Sequence, residues 1–181
     1  MSFTPRLDDT GILNNPKWYA QNPFYQGGFG LPNCTCYSYG RFWEESNDDP
    51  NDMNNKPTGL PLGNGDQWWD SNLQSGNYPS GQEPKLGAVI CFQSRSPSGV
   101  GHVAIVEEIN EQTREITCSN SAYEGEYFYI THITPINGKY DTTNFIFQGF
   151  IYNPKVTPIP PGYIKKKRFP WVLYARKLRG E

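Results

Sequence analysis

Short apolar runs from residue 85 onward predict β-strands. Each run is rich in β-branched or aromatic residues and is bounded by Gly, Pro, Ser or Asn. Runs of this kind are typical of strands, and their spacing along the chain favours an antiparallel sheet. The predicted strands cover residues 85–92, 102–109, 115–119 and 145–152.

The part of the chain before these runs predicts loops and two helices. Residues 1–32 are loop-like because Asn-Pro pairs and glycines recur there. The Pro-Asn pair at positions 32–33 is a good helix entry, since Asn caps helices, and we expect a helix over residues 34–46. A polar loop then covers residues 47–65, and a short second helix covers residues 66–70. Helices first and strands afterwards predict an α+β fold.

Composition supports this expectation and excludes several classes of protein. The 181 residues include 18 Gly, 16 Pro and 15% aromatic residues, whereas a helical bundle or coiled coil is rich in Ala, Leu, Glu and Lys. Only 19% of the residues are charged, and this value together with the aromatic content argues against general disorder. The length favours one domain with an appendage.

Charge divides the chain into an acidic body and a basic tail. Residues 1–154 carry eight Lys and Arg against 17 Asp and Glu, whereas residues 155–181 carry eight Lys and Arg against one Glu. We expect a folded domain over residues 1–153, a Pro-rich linker over residues 154–164 and a basic, apolar tail over residues 165–181.

The tail combines features of two kinds of binding segment. Its basic run at residues 165–168 suits an anionic polymer or a membrane surface, with nucleic acid as the generic alternative. We expect no nucleic acid partner, because the body is strongly acidic. The apolar residues that follow favour docking on the sheet edge of a partner. Residues 155–181 are therefore expected to mediate self-association or attachment to another protein.

Cysteine usage and the absence of long apolar runs limit the other possibilities. Four cysteines are too few for a disulfide scaffold in a chain of this length, and their spacing matches no common zinc site. No run is long enough to cross a bilayer, and the first twenty residues lack the apolar stretch of a signal peptide. We therefore expect cytosolic synthesis, no transmembrane segment, no metal and no cofactor.

One cysteine and one histidine form a candidate catalytic pair. Cys34 begins the predicted helix, where unpaired N–H groups and the helix dipole favour an anion such as a thiolate. His102 follows a glycine-rich turn and opens the most strand-like run, which places it at the edge of the sheet. His132 fits the polar face of a strand, and the other three cysteines fit the core. A thiol activated by an imidazole is a common nucleophilic catalyst.

Four segments resemble those of the CHAP domain family, the cysteine, histidine-dependent amidohydrolases/peptidases. They occur in the family's order at residues 33–41, 85–90, 101–107 and 116–123, and they read NCTCYSYGR, KLGAVI, GHVAIVE and ITCSNSAY. The resemblance extends over about residues 15–153. It is greatest to CHAP domains of phages that infect Gram-positive bacteria, and an Asn-Pro-Phe-Tyr segment before the cysteine adds to it. It implies a papain-like α+β fold, with N-terminal helices packed on an antiparallel sheet and, here, a C-terminal extension.

The resemblance assigns roles to three residues. Cys34 would be the nucleophile, His102 the general base and then acid, and Asn120 the group that orients the imidazole. Glu107, on the histidine's own strand, is less well placed for that last role. Some CHAP lysins bind calcium through an Asp-rich segment before the cysteine. Residues 24–32 contain no Asp or Glu, so we expect no calcium there.

The resemblance also implies a substrate, bacterial peptidoglycan. The scissile bond would be the amide between muramic acid and L-alanine, or a stem or cross-bridge peptide bond, cleaved through a thioester. Trp68, Trp69 and Tyr123 are candidate walls of the substrate groove, and ordinary aromatic core is the alternative for them. A phage endolysin would leave the host cytoplasm through a holin, whereas a virion-associated hydrolase would act from the tail, docked on phage tail proteins. The alternative function is a structural tail component or wall-binding module with a vestigial site.

Overall fold

The computed structural model describes residues 3–46, 49 and 51–156. Along them run three α-helices, α1 (Pro23–Gln26), α2 (Cys34–Glu44) and α3 (Trp68–Ser75), and a 3₁₀ turn (Gly65–Gln67) that leads directly into α3. The strands of these residues are β1 (Ser80–Gly81), β2 (Val89–Ser94), β3 (His102–Ile109), β4 (Ile116–Asn120), β5 (Tyr129–Ile133) and β6 (Phe145–Ile151).

The strands form one antiparallel sheet in the order β1-β6-β2-β3-β4-β5. The predicted α+β class and antiparallel sheet are confirmed. The observed β2 begins later than predicted, because residues 85–88 form a turn in which the Ala88 N–H donates to the carbonyl oxygen of Lys85. His132 lies in β5, in a strand as its alternating neighbours predicted.

Helix α2 lies against β3 on one face of the sheet and is buried along most of its length. The Asn33 side chain caps it by accepting from the Thr35 N–H at 2.9 Å, as the Pro-Asn pair predicted. A Cβ at Gly40 would lie 2.4 Å from the Trp18 ring, so a glycine is required where the N-terminal segment crosses the helix. The helix is therefore fixed on both sides, by the sheet and by the N-terminal segment.

Two hydrophobic cores lie on opposite faces of the sheet. Along β3, Val103 and Ile105 join the core beneath the helices, whereas Ala104 and Val106 join the core of the other face. This alternation is the period of two expected for a strand that is buried on both faces. The aromatic content of the sequence is used in both cores, which explains how a chain with so many Gly and Pro residues packs tightly.

A buried ion pair joins the C-terminal half of α2 to the sheet. The Arg41 guanidinium donates to both carboxylate oxygens of Glu107, at 2.9 and 2.7 Å. Glu107 also accepts from the Ser119 hydroxyl at 2.6 Å and from the Arg6 N–H at 2.8 Å. It lies at an irregularity in the pairing of β3 with β4. The fully satisfied carboxylate fixes the register of α2 on β3.

Two further carboxylates surround Arg41. Glu44 pairs with both Arg41, at 2.8 Å, and Arg6. Burial raises the pKa of Glu45 well above its ordinary value, and the Arg41 guanidinium opposes that change in part. Burial acts to lower the pKa of Arg41, but the neighbouring carboxylates, Glu107 first, raise it well above its ordinary value. Arg41 is thus held by ion pairs with Glu107 and Glu44.

The linker and tail predictions extend beyond the described residues. Residues 154–156 follow β6, and residues 157–181 lie outside the described part, so the predicted linker and tail boundaries stay predictions. Over residues 3–46, 49 and 51–156, no helix has the length and apolar character needed to cross a membrane.

Candidate active site

Cys34 occupies the first position of α2 and is 8% exposed. Its sulfur lies beside three backbone N–H groups, those of Val103, Thr35 and Cys34 itself. Two of these belong to the first turn of the helix, and the third follows His102 in β3. The fold therefore places the thiol at the junction of the helix N-terminus and the start of β3.

The pKa of the Cys34 thiol differs in direction from the sequence-based expectation. Burial raises it above its ordinary value, and the three N–H groups lower it by less than burial raises it. The expected helix N-terminus is present, but the expected net stabilisation of a thiolate is wrong, because the protein around the sulfur removes water that would solvate the anion. The resting group is a neutral thiol surrounded by donors that favour the anion once it forms.

His102 is the first residue of β3 and is as buried as Cys34, with 8% of its surface exposed. Its imidazole stacks on the Phe145 ring, with 5.3 Å between centroids, and on the Phe92 ring at 6.4 Å. Its Nε2 lies 3.0 Å from Asn120 Oδ1. The ring is therefore held by aromatic rings on its flat side and by a hydrogen bond at one nitrogen.

The surroundings of Asn120 determine which ring nitrogen of His102 carries the hydrogen. The Asn120 amide nitrogen donates to the carbonyl oxygen of Cys118 at 2.9 Å and to the Thr131 hydroxyl at 3.0 Å. These acceptors turn the amide oxygen toward His102, so Nε2 must carry the hydrogen that is donated to it. The other ring nitrogen, Nδ1, is then the unprotonated one and is available as a base.

Burial also acts on the histidine. It lowers the pKa of His102 below its ordinary value, and the hydrogen bond that His102 donates to Asn120 opposes that change in part. A neutral imidazole therefore persists to more acidic pH than in a free histidine. Together with the neutral thiol, the site at rest holds a neutral Cys34–His102 pair.

The predicted groove residues have different positions. Trp68 is fully buried, stacked on Phe24 with 6.1 Å between ring centroids, so its predicted role as a groove wall is wrong and the alternative of core packing holds. Trp69 is half-buried and covers Gly149 of β6. Tyr123 is 56% exposed, and its role as a groove wall stays a prediction.

The remaining cysteines, His132 and Glu107 lie apart from this chemistry. Cys36, Cys91 and Cys118 are buried free thiols, in agreement with the core positions predicted for them. The His132 ring pairs with the Thr117 hydroxyl at 3.2 Å. Glu107 is bound by Arg41, in agreement with the expectation that it is less well placed than Asn120 to orient the histidine.

Two residues at the site were not predicted from the sequence. The Tyr129 hydroxyl lies 3.5 Å from His102 Nε2, and the Phe145 ring covers one face of the same imidazole. Tyr129 is the residue opposite Asn120 in the pairing of β4 with β5. Recognising β5 as the neighbour of β4 was the signal that could have found it, and the sequence does not show which strands pair.

A model of the CHAP domain family matches residues 24–122, a segment that contains Cys34, His102 and Asn120. This chain belongs to the CHAP domain family. Membership confirms the predicted family and its papain-like α+β fold, and it supports the predicted enzyme class, a hydrolase of amide or peptide bonds.

Among solved structures, this CHAP protein is similar to the crystal structure of an N-acetylmuramoyl-L-alanine amidase from Staphylococcus aureus. The identity is 21% and the TM-score 0.45, and the match covers 80% of this chain and 37% of the amidase chain. This chain thus matches little more than a third of that protein's length. A search of curated proteins found no significant match.

Proposed function

We propose that this CHAP protein is a cysteine-dependent peptidoglycan hydrolase in which Cys34 is the nucleophile, His102 the general base and acid, and Asn120 the orienting residue. The observation that carries the proposal is the hydrogen bond between His102 Nε2 and Asn120 Oδ1, at 3.0 Å. It leaves Nδ1 as the basic nitrogen, at the start of β3, where the Val103 N–H lies beside the Cys34 sulfur.

The reaction proceeds by acyl transfer through a thioester. His102 Nδ1 takes the thiol proton as the Cys34 sulfur forms a bond to the amide carbonyl carbon. The same nitrogen then returns that proton to the leaving amine as the carbon–nitrogen bond breaks. Water then attacks the thioester, and its proton passes through His102 to the departing sulfur, which releases a carboxylic acid and the free thiol. The acid gives its proton to the released amine, so the products are a carboxylate and an ammonium group. The proton count closes, and neither an oxidant nor a reductant is needed.

The first turn of α2 supplies electrostatic stabilisation to this reaction. The Thr35 N–H is already taken by the Asn33 cap, whereas the Cys34 N–H lies beside the sulfur that attacks the substrate. An oxyanion that forms on the substrate at this sulfur lies at the positive end of the helix. The same N–H groups favour the thiolate during its short lifetime, although burial opposes it at rest.

The proposed bond is an amide of the wall peptide, either the muramoyl–L-alanine amide or a stem or cross-bridge peptide bond. The proposed setting is phage-encoded lysis or wall penetration, from the host cytoplasm after release through a holin or from the virion tail. The resemblance of residues 22–41 to the cysteine segment of phage CHAP domains supports this setting. Mass spectrometry of digested walls tests the bond, since a new L-alanine amine and a new peptide amine differ in mass and position.

Replacement of the nucleophile tests the proposal. Cys34→Ala is expected to abolish the release of soluble fragments from Gram-positive walls, because alanine has no sulfur with which to form the thioester. Cys36→Ala is the matched control: this thiol is two residues away, is fully buried and donates to the Trp18 carbonyl oxygen at 3.4 Å. It should retain hydrolysis. Circular dichroism and thermal unfolding check that both variants are folded.

The outcomes separate the enzyme from a binding module. Retained hydrolysis in Cys34→Ala, or its loss in Cys36→Ala alone, would overturn the assignment of the nucleophile. A wild-type protein that binds walls but releases no fragments, and whose Cys34 reacts with iodoacetamide no faster than the buried cysteines, would support the vestigial wall-binding or structural alternative.

A further inference from the structure

Two oxygen atoms from neighbouring strands approach the same nitrogen of the candidate general base. Asn120 Oδ1, at the end of β4, lies 3.0 Å from His102 Nε2, and the Tyr129 hydroxyl, at the start of β5, lies 3.5 Å from it. Asn120 and Tyr129 are paired across the two strands. The Asn120 amide also donates to the Tyr129 carbonyl oxygen at 3.4 Å. The pairing of the strands therefore places both oxygens around one nitrogen.

The hydrogen at Nε2 decides what Tyr129 does there. Because the Asn120 amide is oriented by its own acceptors, Nε2 carries a hydrogen and donates it. Nε2 then has no lone pair to accept a bond from the tyrosine. The Tyr129 oxygen is accordingly an acceptor, at the outer limit of a hydrogen bond in the resting enzyme. Its own O–H proton is directed elsewhere.

We propose that Tyr129 is a positioning residue for His102, whose hydroxyl oxygen is a second acceptor for the Nε2–H beside Asn120. The inference rests on the proposed function, because it concerns the same Cys34–His102 pair. Through Tyr129, the edge strand β5 would help to position the histidine that activates Cys34 on α2.

The need for a second acceptor arises when the histidine becomes charged. After it takes the proton of Cys34, the buried ring is an imidazolium with hydrogens on both nitrogens, and a buried cation is costly unless it is well hydrogen-bonded. The buried carboxylate of the same strand, Glu107, is fully engaged by Arg41 and Ser119. Two neutral oxygens, of Asn120 and Tyr129, stabilise the cation in its place.

The groups packed around the ring allow this role. The Cys34 sulfur lies beside the N–H of Val103, the residue after His102. Phe92 and Phe145 cover the ring, and the backbone of Asp66 packs against Gly101 just before His102. Among these neighbours, Cys34 and Asp66 are the ionisable ones.

The tyrosine itself remains uncharged while the histidine titrates. Burial, followed by the charge of Cys34 and then of Glu126, raises the pKa of Tyr129 to about 12. The phenol is therefore a constant neutral acceptor through the pH range in which the enzyme would act. A change in the histidine on replacing Tyr129 cannot be ascribed to loss of a charge.

The test replaces one hydroxyl and observes the histidines directly. Tyr129→Phe removes the oxygen and keeps the ring, and Tyr127→Phe is the matched control, since that hydroxyl binds Tyr19 at 2.9 Å. The chain has two histidines, so NMR titration gives the pKa of His102 with His132 as an internal reference. We expect Tyr129→Phe to lower the pKa of His102 by about 0.4 to 1 pH unit and to leave His132 unchanged.

The same two variants are also compared with the wild type in their steady-state kinetics of wall hydrolysis. In Tyr129→Phe, kcat for wall hydrolysis should fall by roughly 2- to 12-fold with KM unchanged. In a plot of kcat against pH, the acidic limb should move to lower pH. Tyr127→Phe should match the wild type in the pKa of His102 and in both kinetic constants. A structural role alone would lower the melting temperature without moving the pKa of His102.

Two results would overturn the inference. One is an unchanged pKa of His102 in Tyr129→Phe. The other needs no variant: a long-range proton–nitrogen spectrum of the wild type at neutral pH that shows the hydrogen of His102 on Nδ1. If the wild type fails to hydrolyse walls while Tyr129→Phe still shifts the titration of His102, the proposed function fails and the placement of Tyr129 stands.

Discussion

At its first residue α2 brings the Cys34 thiol to the start of β3, and two turns later it brings the Arg41 guanidinium to Glu107 of the same strand. Both junctions are buried, and both reach β4, through Asn120 in one case and Ser119 in the other. At the first junction burial keeps the cysteine and the histidine neutral. At the second, the pKa of Arg41 is held far above its ordinary value.

The difference follows from what each junction must do. A group that moves protons must take up two protonation states during the reaction, and a histidine bonded to a neutral amide rather than to a carboxylate is not fixed in its charged state. A group that holds a helix in register needs one state, and a buried guanidinium bonded to a carboxylate through two hydrogen bonds has one. Helix α2 thus carries a reactive end, at Cys34, and a fixed end, at Arg41. The contact of the fixed end with Glu107 sets where the reactive end lies.

The largest effect is expected from replacing the base. His102→Gln removes the proton acceptor and should lower kcat for wall hydrolysis by about 10²- to 10⁴-fold. The free energy of unfolding should change little, because glutamine keeps a polar side chain at this buried position. Fragment release and urea unfolding measure the two quantities. A near wild-type kcat in this variant would show that His102 is not the base.

The next effect is a loss of stability at the fixed end. Arg41→Leu leaves Glu107 buried without its cation and should lower the free energy of unfolding by about 3–5 kcal/mol. Urea denaturation measures the change. The double variant Arg41→Leu, Glu107→Leu serves as the control and should recover part of the loss, because no lone charge remains. A loss below about 1 kcal/mol in the single variant would show that the pair does not hold the helix.

The smallest effect is a change of stability with pH at the reactive end. Since burial lowers the pKa of His102 below its ordinary 6.5, the unfolded chain binds the proton first, and the folded state loses stability as the pH falls below that value. Since burial raises the pKa of Cys34 above its ordinary 9.0, the unfolded thiol ionises first, and stability falls again above that value.

Difference measurements isolate these two groups from the other titratable residues. Melting temperatures are compared between pH 5 and 10 for the wild type, His102→Gln and Cys34→Ala. We expect the histidine variant to lose less stability than the wild type on the acidic side, and the cysteine variant to lose less on the alkaline side. If the melting temperatures of all three proteins change with pH in parallel, burial does not shift the pKa values of Cys34 and His102 as described.

Local sequence was sufficient for the elements that carry the nucleophile and the base. The cap at Asn33 predicted that Cys34 begins a helix, and the glycine-rich turn before His102 predicted the start of a strand. Asn120 came from the family resemblance. Tyr129 was missed, because its place beside His102 depends on β5 pairing with β4. Trp68 and Trp69 are adjacent and similar in type, and only packing distinguishes the buried ring from the half-buried one.

The sequence by itself determined the α+β class, the helix that starts at Cys34, the family and the candidate pair, since caps, turns and apolar periods act over a few residues. The tertiary structure alone decided the direction of the pKa of Cys34, the tautomer of His102 and the contact of Arg41 with Glu107. Each of these depends on groups that are distant along the chain and on the removal of water, which no short segment can specify.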